Sequence, residues 1–111
     1  MSTNEWTGAF LLTQMIEVPV YLLAARALPK PRRAFYAFGA SAITHPIIWF
    51  CLPWSSGPYV PLLIIAETFA VVVEALWSRW WNVRRAWSFS LLANASSACL
   101  GFAIRHGFLY T

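Results

Sequence analysis

The stretch from Pro58 to Arg79, PYVPLLIIAETFAVVVEALWSR, constrains this chain more than any other. It is a near-continuous apolar run of about the roughly 20 residues that one helix needs to cross a bilayer. Two carboxylates interrupt it, Glu67 and Glu74, seven residues apart, which puts both on one helical face about two turns from each other. A charged side chain at the bilayer centre costs on the order of 2.5–3.5 kcal/mol even on the lenient insertion scale. Both carboxylates are therefore expected to face protein or water, and the remaining chain must supply what they face.

Of 111 residues, 59% are hydrophobic and only 11% charged, against roughly 25% charged in an ordinary soluble domain. Lipid is the expected solvent for most of the surface, and the length gives a single domain, residues 1–111. The net charge of +4 is not a nucleic-acid footprint, because the basic residues cluster beside apolar spans; no nucleic-acid partner is expected. Cys51 and Cys99 form no CxxC and no zinc spacing. They read as small apolar packing residues, with a disulfide left open because both fall in the outer halves of their spans. Glu5 stands where a signal peptide would be basic, and Glu17 interrupts the first apolar run, so no cleavable leader is expected.

Four spans are predicted, at about 8–27, 35–52, 58–78 and 86–104, making an all-α integral membrane bundle. In the first, Gln14, Glu17 and Tyr21 share a face, and Pro19 is expected to kink or open the helix near Glu17. The second carries Ser41, Thr44 and His45, then Pro46. In the fourth, Ser90, Asn94, Ser97 and Gly101 recur at helical spacing. LPKPRR reads as a basic turn, PWSSG as an uncharged one, and Pro58 and Pro61 suit the first turn of the third span. Arg26, Lys30, Arg32, Arg33, Arg79, Arg84 and Arg85 fall on one side and only Arg105 on the other, His106 following it. The positive-inside rule then places residues 28–34 and 79–85 in the cytoplasm and both termini outside, in an inner (cytoplasmic) membrane. Trp6, Trp54, Trp77, Trp80, Trp81 and Trp87 fall at the expected interfaces. Arg32-Arg33-Ala34-Phe35 answers Arg84-Arg85-Ala86-Trp87, each pair preceded by a glutamate 15 or 17 residues earlier, which suggests two pseudo-symmetric helical hairpins.

Counting from these boundaries, Glu17, His45, Glu67 and Asn94 fall within about one turn of the midplane. This is the candidate proton or cation cluster, with Glu74, Gln14, Tyr21, Thr44, Ser90 and Ser97 as secondary polar groups. Glu74 falls two turns below Glu67, where Arg26 or Arg84 could pair with it. Imidazole with carboxylate suits zinc, manganese or iron, so Glu17, His45 and Glu67 are candidate metal ligands; a proton would need no metal at all. The same residues also serve to hold helices together. Asn94-Ala95-Ser96 fits a glycosylation sequon but lies inside a span, and HExxH, GxSxG and Walker patterns are absent from the sequence.

EVP in the first span, THPIIW in the second, E-x6-E in the third and ANASS-x3-G in the fourth resemble the pattern of small four-helix bacterial membrane proteins of uncharacterised function. That resemblance covers nearly the whole chain and implies four spans, with no activity attached. The length and the first-span glutamate are also similar to small multidrug resistance transporters, but His45, Glu67, Glu74 and the strong charge bias depart from that family, and it is not adopted.

The expected function is transport-type handling of protons or a small cation, by a homo-oligomer or within a larger membrane complex, since four short helices leave little room for a private pore. Two alternatives stand beside it: a non-enzymatic accessory or assembly subunit, and an intramembrane enzyme acting on a lipid-like substrate with Glu and His as acid and base.

Overall fold

The computed structural model describes residues 3–54 and 56–103, with side chains from Thr7 onward apart from Ala9. Trp6, Arg105 and His106 lie outside the described side chains. Four helices follow in order: α1 (Thr3–Ala24), α2 (Lys30–Cys51), α3 (Tyr59–Trp80) and α4 (Ala86–Ala103), with no strand among the described residues. Three have 22 residues, about 33 Å at 1.5 Å per residue. Consecutive helices pack against one another, and α4 closes the ring against α1; the diagonal pairs make no close backbone approach among the described residues. Both basic loops therefore lie at one end of an up-down-up-down bundle.

The boundaries differ from the expected ones where local chemistry overrides apolar periodicity. LPKPRR is not a loop: Lys30–Arg33 form the first turn of α2, with Arg33 N–H bonded to Pro29 O at 2.8 Å. Proline suits a helix start, where its fixed φ is already helical and its missing N–H is not needed. Arg33 Nε also donates to Leu22 O at 2.6 Å, satisfying a carbonyl in the last turn of α1. α1 continues as a helix through Pro19, and α2 through Pro46. The end of α3 is a Schellman turn: Asn82 sits at φ 58°, its N–H bonds to Arg79 O at 2.9 Å, and Val83 N–H bonds to Ser78 O at 3.0 Å.

The interior is small, aromatic and polar. Its buried apolar residues are Tyr21, Tyr36, Leu62 and a series of alanines, among them Ala37, Ala40, Ala66, Ala70 and Ala93. Beside them lie buried Gln14, Glu17, Ser41, Thr44, Glu74, Ser78, Ser90 and Asn94. The large aliphatic and aromatic side chains point outward instead, including Leu11, Met15, Phe38, Phe50, Ile64, Ile65, Leu76 and Leu91. Two helices, α2 and α3, are long and apolar enough to cross a membrane. Phe10–Ala24 of α1 forms a shorter apolar helix, and Asn94 with its flanking serines dilutes the apolar character of α4.

Candidate functional site

The basic end of the interior is closed by rings. Tyr21 and Tyr36 meet edge to face at 5.7 Å, and Tyr36, Trp77 and Trp81 continue the cluster. Tyr36 Oη and Ser78 Oγ share a 2.7 Å hydrogen bond, and Trp77 Nε1 donates to Tyr36 O at 3.0 Å. Above this plug, the polar faces of all four helices converge on a cavity of about 180 Å³. Its lining runs from Trp54, Tyr59 and Phe102 near the uncharged end to Glu74 and Asn94 at the centre.

Glu74 is the hub. Its Oε1 accepts from Tyr21 Oη at 2.6 Å and from Asn94 Nδ2 at 3.1 Å, and its Oε2 accepts from Thr44 Oγ1 at 2.6 Å. Those donors come one each from α1, α4 and α2, so this carboxyl ties its own helix to the other three. The depth count placed Glu74 two turns below the cluster beside Arg26 or Arg84; instead it occupies the centre, 1% exposed, with Tyr21, Thr44 and Asn94 as partners. The count missed this because depth along one helix does not say which side chains of the other helices reach a given position.

Glu17 is 2% exposed and accepts from Ser97 Oγ at 2.6 Å. Its carboxyl lines the same cavity as that of Glu74. The other Glu17 oxygen, Oε1, is buried and accepts no hydrogen bond from the protein, and Oε2 of Glu67 is in the same state. Glu67 and His45 line the cavity higher up, with the His45 ring between those of Phe10 at 5.3 Å and Trp49 at 6.2 Å. All four cluster residues thus line one cavity, with Glu17 and Asn94 at its centre. The candidate metal set of Glu17, His45 and Glu67 is not borne out: no group of three or more His, Cys, Asp or Glu among the described residues is arranged to hold a metal.

The secondary groups divide. Tyr21 and Thr44 bond to Glu74, and Ser97 to Glu17. Ser90 Oγ donates across to Val71 O at 2.7 Å, a helix-to-helix tie. Gln14 is buried with neither amide atom bonded. Ser78 and Tyr36 were missed; the spacing Glu67, Glu74, Ser78 already carried the first of them. Cys51 and Cys99 are free and exposed, not packing residues, and they lie on the diagonal helices α2 and α4.

No family model matches the sequence, and no curated protein or solved structure shows significant similarity to it. The class that the fold and site define is an all-α four-helix bundle with a carboxyl-rich polar centre and an apolar exterior.

Proposed function

We propose that the chain is a four-span membrane protein whose centre takes up and releases a proton or a small cation. The observation that carries this is the company of the carboxyls: Glu17, Glu67 and Glu74 line one cavity, and no Lys or Arg among the described residues lines it with them. Ionised carboxylates sharing one low-dielectric cavity repel strongly, so this grouping calls for a proton or a cation among them. The inverted distribution of side chains supports the membrane setting, since small and polar groups inside with large apolar groups outside suit helices solvated by lipid. The test is ion flux. In liposomes carrying a pH-sensitive dye, with sodium and potassium gradients as parallel arms, Glu17→Gln and Glu74→Gln should abolish flux and Glu67→Gln should slow it, at equal insertion. Unchanged flux in Glu17→Gln and Glu74→Gln would remove the assignment.

A second reading rests on the three bonds to Glu74. A carboxyl that ties every other helix to α3 is also what a rigid accessory subunit needs to fix its helices. On that reading Glu74→Gln lowers stability and releases a stoichiometric partner, while the purified chain alone carries no flux.

A further inference from the structure

At the basic end, between the α1–α2 and α3–α4 connections, lies a second cavity, of about 330 Å³. Its lining includes Arg26 from one connection and Arg84 and Arg85 from the other, with Trp81 and Asn82 beside them. The four acidic residues of the chain are Glu5, Glu17, Glu67 and Glu74, so no acid lies in either connection. Three arginines lining one space, with no acid in either connection, carry many donors to be met.

Two further observations bear on what meets them. Trp81 lines the cavity with its ring. The cavity also adjoins the start of α4, whose first turn carries no acidic residue and, like any helix start, has backbone N–H groups without intrahelical partners. Arginine side chains and a helix start together match a tetrahedral oxyanion. Exposed Trp80 and Trp87 flank this end of the bundle, and on the membrane reading they sit at headgroup level.

We propose that this cavity binds the phosphate of an anionic phospholipid in the leaflet facing the basic loops. The inference rests on the membrane reading for the source of the phosphate, but not for the cavity itself. Arg26, Arg84 and Arg85 act as a group, so a lipid seated there would join the two connections and with them the two hairpins.

The test uses the full chain in nanodiscs of phosphatidylcholine with graded phosphatidylglycerol, read by native mass spectrometry of the lipids retained and by thermal stability. Inorganic phosphate, added to protein in detergent, forms the second arm. Expected are saturable retention of phosphatidylglycerol over phosphatidylcholine, a matching rise in stability, and a tenfold or greater loss of retention in Arg26→Gln/Arg84→Gln. Lys30→Gln/Arg32→Gln, at the same end but outside the cavity, should stay within twofold. Arg84→Lys, which keeps the charge and loses the fork, should fall between them and guards against a misfolded double variant. Saturable binding of inorganic phosphate with the same dependence on Arg26 and Arg84, but no lipid preference, would overturn the lipid source. Equal losses in the cavity and control pairs would overturn the site, leaving only general attraction of a basic surface to anionic lipid. Recovery of the chain from water without detergent would fail the membrane reading separately, with the phosphate arm still deciding the cavity.

Discussion

Tyr21 and Glu74 are 53 residues apart on helices whose backbones make no close approach among the described residues, yet the phenol donates to Glu74 Oε1 over 2.6 Å across the middle of the bundle. The bond is possible because the neighbouring core positions are alanines, which keep the diagonal short enough for two long side chains to span it. Removing the hydroxyl alone should expose its contribution. Tyr21→Phe is expected to cost about 1–2 kcal/mol, between the membrane average and the value for bonds to charged groups. A double-mutant cycle with Glu74→Gln in detergent unfolding should show coupling of similar size; simple additivity would mean that the bond contributes nothing.

The polar stripes were legible in the sequence because a buried polar face keeps the helical period whatever surrounds the helix. Gln14–Glu17–Tyr21 and Ser90–Asn94–Ser97 turn inward as their spacing requires. Which stripe meets which was not legible. Period gives a face, whereas the partners of Glu74 depend on how far each helix slides along its neighbour. That is also why the face shared by Glu67 and Glu74 did not show which of them would bond to the other three helices. The first turn of α2 was hidden for another reason. Charge made LPKPRR look like a loop, while its prolines were preparing a helix start.

Gly39 marks a close approach. A Cβ placed there would come within 2.9 Å of Trp77 Cζ2. The indole cannot easily swing away, since its Nε1 is bonded to Tyr36 O and its ring packs on Trp81. Gly39→Ala should therefore destabilise by about 1–3 kcal/mol, the usual range for overpacking. Trp77→Phe should abolish most of that penalty when the two are combined. Calorimetry of the four proteins checks it, and an equal penalty in both backgrounds would show that Trp77 is not the obstacle.

Cys51 and Cys99 should not pair within one chain. A disulfide needs Cα atoms within about 7 Å, and these cysteines lie on α2 and α4, which make no close approach. Copper-phenanthroline treatment of dilute protein should leave two free thiols by maleimide labelling and intact mass. An intramolecular bond formed under native conditions would require α2 and α4 to be neighbours and would replace the ring of helices described above.

The sidedness of the bundle decides whether its outward apolar surface belongs in lipid. Seven of the eight basic residues, Arg26 through Arg33 and Arg79 through Arg85, lie at one end. The connection at the other end, residues 52–58, has no charge. If four helices cross the bilayer, the two basic connections must share one side and the uncharged connection must take the other. With Cys51 and Cys99 replaced by alanine, single cysteines at Lys30 and Arg84 should react with an impermeant maleimide only from the cytoplasmic face, and one at Ser56 only from the opposite face. Were Lys30→Cys and Arg84→Cys to label from opposite sides, an odd number of crossings would separate them. Only one of α2 and α3 would then cross, and the polar centre shared by four helices could not sit at the midplane.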